Sequence, residues 1–453
     1  MTECDVLVIG GGPAGSTVSA LLAEKGWSVT QLEKGAHPKF HIGESLLPMN
    51  LPILEKLGVL DEVEEIGIRK YGVEFNCESR DKPTTYYFAN ALNKNHPYAY
   101  EVQREHFDKI LFTNARRKGV TSHEQMRVVN VDFKTDGSST IDAKDKDGNL
   151  HQWQARYLVD ASGRGTVLGN KFKTKQRSKD HNSAAVFGHF SGVKRRAGKD
   201  EGNISIYWFE HGWFWFIPFK DGTMSVGAVC WPYYLNSRKV GVEQFLLDTL
   251  ALCPAALARM RDAKLISPVT ATGNFSYRLS QMSGKGYLIV GDAFAFIDPV
   301  FSSGVLLGMN GAMNAADVVD GILREPEKEN KLLRSHERMV RSGLKTFSWF
   351  IYRITQPTMR NMFMGPRNWF RVEEGVMSLL AGDLFRDTPV KRPLFIFKII
   401  YSIAYLLNWR ENRDSFKRRQ QGLRGGQLAV EETSSNNETS ESDNLSVLEK
   451  DVA

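Results

Sequence analysis

The stretch "CDVLVIGGGPAGSTVSALLAEKGWSVTQLEK", Cys4 to Lys34, constrains the fold more than any other part of the chain. Val6, Leu7, Val8 and Ile9 form a short unbroken apolar run, the pattern of a parallel strand covered on both faces. Gly10, Gly12 and Gly15 follow, with Pro13 and Ala14 among them, and an alanine-rich helix then runs towards Gly26. A second strand, Val29 to Leu32, ends on Glu33. A GxGxxG pattern alone says little. Between a strand and a helix, with an acid 18 residues beyond its last glycine, it predicts a dinucleotide site. The glycines let the backbone approach a diphosphate held at the helix N-terminus, and Glu33 is placed to accept hydrogen bonds from a ribose.

The rest of the chain narrows the class. Its 453 residues suffice for two or three subdomains with a substantial core. Cys4, Cys77, Cys230 and Cys253 show no CxxC spacing, which speaks against a disulfide framework or a zinc site and for a reducing cytosol. The 10 histidines lack metal-ligand spacing, so no metal is expected. The N-terminus enters a strand at once, leaving no room for a signal peptide. Net charge is +7, but residues 427–453 carry 7 acids against one lysine, so the body is near +13. That acidic tail has no hydrophobic period and reads as disordered. A basic body attracts nucleic acid, anionic lipid or an acidic protein, and no recognition helix or RNA-binding signature favours the first.

Two later segments identify the dinucleotide. "YLVDASGRG" and "GYLIVGDAFAFIDPVFSSGV" each run from a buried strand into a small-residue turn, the second through Asp292 towards a long apolar helix beginning near Val305. "VQREHFDKIL" opens a helix at Arg104. Together they resemble the α/β, doubly wound FAD-binding fold of the aromatic-hydroxylase (GR2) type. Short alternating aromatic runs, "NISIYWFE", "GWFWFIPF" and "MSVGAVCWP", predict an antiparallel substrate-domain sheet. The expected organisation is an FAD domain in two parts, 1–182 with the Lys70 segment and 281–325, around a sheet at 183–280. A helical region at 326–426 and the tail at 427–453 follow. Residues 392–420 combine an apolar run with a basic flank; they read first as a packed or substrate-capping helix and second as a peripheral membrane contact.

Over residues 1 to about 385 the chain resembles the flavin-dependent halogenases, of the branch acting on phenols or pyrroles. Besides the GxGxxG, it carries WxWxIP as Trp213, Trp215, Ile217 and Pro218, and FxxPxxSxG as Phe296, Pro299, Ser302 and Gly304. "GESLLP", containing Ser45, matches an element that lies along the flavin. An FAD monooxygenase or an isoprenoid (geranylgeranyl-type) reductase of the same fold is the alternative. The reductases usually carry a cysteine in the loop near Gly43, and "HIGESLLP" has none. A flavin-binding scaffold or membrane-associated accessory protein without enzymatic activity stands as a further reading.

The resemblance implies a chemistry. Reduced FAD and oxygen form a hydroperoxide, a chloride or bromide ion attacks it to give hypohalous acid, and that acid travels to a separate chamber. There Lys70, in "GIRKYGVEF", hydrogen-bonds it or becomes a haloamine, and an electron-rich ring takes the halogen. The halide is expected at Ser303 and Gly304, where amides at a helix start suit an anion. Trp213, Trp215 and Phe301 are expected to wall the flavin from the substrate. Tryptophan-specific members carry a glutamate where this chain has Phe301, which turns the expectation from free tryptophan towards phenols or pyrroles, some of them tethered to carrier proteins. Glu74 and Glu101 are candidates for a base that takes the substrate proton, each read first as a solvated or structural carboxylate. No separate nicotinamide motif is visible, so a flavin reductase is the expected partner, and the cytoplasm the expected location.

Overall fold

A computed structural model describes residues 1–77, 82–178, 183–273, 276–415 and 417. Thr2–Ile9 forms the middle of a parallel sheet because its apolar run needs cover on both faces, and Val6, Leu7 and Val8 have no exposed surface. It pairs in parallel with Val29–Leu32 on one side and Leu150–Asp160 on the other. Thr121–His123 and Tyr287–Ile289 extend the array outwards. The register sets Ile9 opposite Asp160, so the glycine turn and the Ala161 turn leave the sheet side by side. Helix Pro13–Glu24, starting at the first turn, packs on helices Arg104–Arg117 and Ser303–Arg324.

Among the described residues a second sheet has eight strands. Ala184–Ser191, Met224–Cys230, Gly212–Pro218 and Ile204–Phe209 are antiparallel neighbours, as their alternating runs predict. The sheet is not confined to 183–280, however. Gly72–Cys77 joins it in parallel beside Ile204–Phe209, and Thr84–Tyr87 pairs with Gly72–Cys77. The chain therefore crosses between sheets just after Lys70. Before the crossing, Ile68–Lys70 pairs with Ala99–Glu101, with Lys70 opposite Ala99, which makes Lys70 and Glu101 diagonal neighbours on one face.

The strand Gly212–Pro218 is buried throughout, and its alternation sorts its aromatics. Trp213, Trp215 and Ile217 join a core shared with Phe347, Phe363 and Phe397 of the C-terminal helices. Phe214 and Phe216 join a separate core under helix Val242–Ala251. Gly227 lies opposite Trp215, where a Cβ would come within 2.3 Å of the indole. The glycine makes room for the ring.

Helices Glu329–Ile351, Pro357–Met364, Val372–Leu380 and Lys391–Leu407 form the helical region. Among the described residues no helix is long and apolar enough to cross a membrane. The acidic tail expected at 427–453 and the end of the basic flank beyond 417 lie outside the described residues.

Candidate functional site

A cleft of about 690 Å³ runs from the glycine turn to the tryptophan strand. Gly10, Gly12, Pro13, Ala14 and Glu33 line it, together with Ser45, Arg104, Asp292, Pro299 and Gly304. Gly15 lies behind this surface: a Cβ there would stand 2.0 Å from the Gly10 carbonyl oxygen, so its lack of a side chain serves the packing of turn on helix. At Gly10 a Cβ would stand 2.3 Å from the Ala161 carbonyl oxygen, and the residue has φ +109°. Gly12 is the opposite case, since a Cβ there would meet nothing within 4 Å. That open backbone, ahead of a helix whose first amides have no intrahelical partner, is a cradle of the shape a dinucleotide's diphosphate fills. The residues present fit FAD.

The charged groups along the cleft are held in place. Glu33 accepts from the Gly11 and Gly35 amides, both at 2.7 Å, and pairs with Lys39. Burial opposes its charge, but Lys39 and the amides hold the carboxyl below its usual range. Arg104 grips Asp108 through two bonds, 2.8 and 2.9 Å, and donates to the Ile42 carbonyl oxygen at 2.8 Å. Burial pushes Asp292 up to about 6, with Arg104 and Arg164 restraining it.

The loop after Asp292 differs in detail from the sequence expectation. The Asp298 side chain accepts from the Val300 amide at 3.0 Å and opens a tight turn, Pro299–Phe301. Ser302, at φ 54°, ends it, and the long helix starts at Ser303, two residues before Val305. Ser302 and Gly304 line the cleft, whereas Ser303, only 2% exposed, does not. Phe301 also falls outside the cleft lining. It is buried and stacks on Phe363 of the C-terminal helices at 6.2 Å. Trp213 and Trp215 do line the cleft, their rings 5.9 Å apart, and Trp215 Nε1 donates to Ser225 Oγ at 3.0 Å.

Lys70 is neither a surface lysine nor the wall of an open chamber. It has no exposed surface and is absent from the cleft lining. Its Nζ donates to Ser45 Oγ at 2.6 Å and to the Leu46 carbonyl oxygen at 3.1 Å, over the Phe88 ring at 5.6 Å. Ser45 is thus shared: it faces the cleft and holds the lysine behind it. Glu101 Oε1 lies 3.7 Å from Nζ, and among the described residues neither Glu101 oxygen has a hydrogen-bond partner within 3.5 Å. Burial drives both groups towards neutrality, lowering Lys70 and raising Glu101 to about 8, each only partly offset by the other. Glu74, the other carboxylate considered, pairs with Arg196 and accepts from Asn76 at 2.8 Å.

Two groups have no counterpart in the sequence expectations. Glu44 lines the cleft, 1% exposed, with Oε1 bonded to His189 Nε2 at 2.7 Å and Oε2 unpartnered. Burial works against a charge on His189, but Glu44 overrides it and raises the imidazole. Arg164, Lys175 and Arg177 line the cleft at the Ala161 turn. "GESLLP" contains Glu44, yet its partner lies 145 residues away, a pairing that no local pattern reveals.

The FAD binding domain family model matches residues 3–343. The tryptophan 2-halogenase of Chondromyces crocatus is 34% identical over 70% of this chain; the match spans 61% of that relative, less than two thirds of its length. A flavin-dependent halogenase of Penicillium aethiopicum is 32% identical over 76% of this chain and 69% of its own. The 1H-pyrrole-2-carbonyl-[peptidyl-carrier protein] chlorinase of Pseudomonas fluorescens is 26% identical over 84% of this chain and 90% of its own. The solved structure of the myxobacterial chondrochloren halogenase superposes with a TM-score of 0.75 at 30% identity, covering 89% of this chain and 98% of that one.

Proposed function

The chain belongs to the flavin-dependent halogenases, and from that premise we propose that it chlorinates or brominates a phenol or pyrrole ring, with Lys70 as the catalytic group. Bound as reduced cofactor, FAD supplies with oxygen the two-electron oxidation that makes halide electrophilic. The chain's own residues do the rest. The Gly12 backbone and the helix behind it would hold the diphosphate and Glu33 the ribose, with Arg104, Ser45 and Asp292 lining the same cleft. The first-turn amides at Ser303 and Gly304 attract the halide, Gly304 from the cleft surface itself. Trp213 and Trp215 keep an aromatic substrate away from the oxidising end of the cleft.

The observation that carries this reading is Lys70 anchored on Ser45, with Glu101 at 3.7 Å. A neutral amine donates its two N–H groups to Ser45 and Leu46 and keeps its lone pair for the electrophilic halogen; as the N–halogen bond forms, the O–halogen bond of the hypohalous acid breaks, and the oxygen leaves as water with the proton the amine loses. Glu101, pushed up to about 8, takes the earlier proton, the one the Lys70 ammonium gives up to become that amine. Phe301 leaves that position of the loop without a carboxylate, and the one acid nearby, Asp298, is engaged with the Val300 amide, which supports an activated ring that needs less help in losing its proton. One relative is named for tryptophan and another for a carrier-bound pyrrole. The basic body, near +13, favours the acidic carrier.

The test supplies reduced FAD through a reductase, with oxygen and bromide or chloride, to free phenols, free pyrroles, free tryptophan and carrier-bound pyrrole. Halogenated phenol or pyrrole product by mass is the expected result. A hydroxylated ring, or halogenation of tryptophan alone, overturns the reading.

A further inference from the structure

The sequence reads helix Lys391–Leu407 first as a packed or capping helix and second as a peripheral membrane contact, and one of its sides does pack: Leu394, Phe397 and Tyr401 are buried in the core above the tryptophan strand. The other side is bare. Phe395 is 63% exposed, Ile399 45%, Ile403 56%, Leu406 70% and Leu407 79%. Their spacing places them on one stripe of the helix. The neighbouring turn Trp369–Arg371 touches this helix and adds Trp369 at 61% and Phe370 at 75% exposure. Phe370 and Arg371 both adopt left-handed backbone, φ 53° and 62°, so the fold holds an aromatic ring in solvent on a strained turn. Folding alone supplies no reason for either feature.

Cations surround the stripe. Lys391 and Arg392 precede it and Arg410 and Arg413 follow it, while Glu411 is the one acid from 391 to 413. Arg410 and Arg413 lie over the Trp409 ring at 5.6 and 5.0 Å, and Arg367 over Trp369 at 5.2 Å. An apolar stripe edged by Trp and Arg is the pattern of a helix lying in the headgroup layer of a bilayer.

We propose that the outward face of Lys391–Leu407, with Trp369 and Phe370, docks on an anionic lipid surface. Charge selects this occupant over a second copy of the chain. Both ends of the stripe are basic, so pairing two copies sets like charges together in either orientation. Crossing the bilayer is excluded, because one side of the helix is built into the core and no described helix is long and apolar enough. The helix lies flat, its basic ends towards the headgroups.

The experiment is sedimentation of the full-length, FAD-loaded protein with phosphatidylcholine vesicles, with and without phosphatidylglycerol. The expected result is association with the anionic vesicles, weakened by salt and absent with phosphatidylcholine alone. Ile403→Asp with Leu406→Asp abolishes it, and Arg410→Glu with Arg413→Glu weakens it by on the order of tenfold or more. Retained flavin absorbance and an unchanged melting temperature show that these surface variants fold. The proposal fails if wild type ignores anionic vesicles, if the Asp variant binds as well as wild type, or if vesicle binding is absent and the stripe instead mediates dimerisation or capture of an acidic carrier protein. None of these outcomes depends on the halogenation reading.

Discussion

The cleft and the enclosure around Lys70 meet at Ser45 and are built on opposite principles. The cleft is open, about 690 Å³, and is made from glycine backbone, a helix start and side chains fixed by ion pairs. It suits a large, charged ligand whose charge the backbone meets. The enclosure has no accessible surface at Lys70 or Glu101, and burial there acts on protonation. An open site binds by presenting dipoles, whereas a sealed one tunes reactivity by excluding water. On the proposed function, the two meeting at Ser45 would let one chain bind an oxidising cofactor and keep the Lys70 amine out of contact with it.

The strongest way to break this contrast is Lys70→Ala. Halogenation falls by about 10³-fold or more, while oxidation of reduced flavin, which needs only the cleft, continues at the wild-type rate. Product mass and flavin absorbance, followed in one reaction, check it. Parallel loss of both signals would mean that the two regions are not separate devices.

Next in size is the pH response of the enclosure. Folded Glu101 keeps its proton up to about pH 8, whereas the unfolded chain releases it near 4.5. Through that window this group's contribution to stability falls as pH rises. Lys70, lowered by the same burial, works in the opposite direction, since its proton is bound more readily in the unfolded chain. Glu101→Gln removes the first slope and leaves the second. The variant therefore gains stability relative to wild type by about 1.4 kcal/mol per pH unit between roughly 5 and 8. Denaturant melts of both proteins across that range measure it, and parallel curves would show that the pair is not buried as the geometry states.

Gly12→Val tests the open half. The residue has ordinary extended backbone, φ −79° and ψ −172°, and free space at its Cβ, so the fold accepts the side chain. The diphosphate does not. FAD affinity should drop roughly 100-fold, the loss of one or two hydrogen bonds to a charged group, with little change in melting temperature. Gly15→Val is the contrasting control, because its Cβ meets the Gly10 carbonyl oxygen and the variant unfolds.

The two halves were not equally legible in the sequence. The cradle is local: strand, glycines, helix and Glu33 fall within one βαβ unit, and their spacing alone encodes the geometry. The sorting of Trp213 and Trp215 from Phe214 and Phe216 is equally local, since a strand alternates by two. The enclosure depends on long-range contacts. Lys70 is legible only through the family resemblance, and its burial, its anchor 25 residues away on Ser45 and the parallel pairing of Gly72–Cys77 with Ile204–Phe209 follow from topology. Phe301 shows the same limit. Its place in the loop is plain, yet its stacking on Phe363 in the core of the C-terminal helices is a long-range contact that no local pattern reveals.

The smallest predicted effect falls on the residue the two regions share. Ser45→Ala removes one acceptor from Lys70 and leaves the cleft wall almost unchanged in volume, so FAD affinity should stay within about twofold. Lys70 then keeps only the Leu46 carbonyl oxygen at 3.1 Å and loses the bond that aims Nζ towards the cleft. A hydrogen bond of this kind contributes about 1–2 kcal/mol, so the halogenation rate should fall roughly tenfold, with flavin oxidation unaffected. Ser45→Thr keeps the hydroxyl and should restore most of the rate. If Ser45→Ala instead weakened FAD binding tenfold at an unchanged halogenation rate per bound flavin, Ser45 would belong to the cleft alone. Lys70 would then need another route to the halogen.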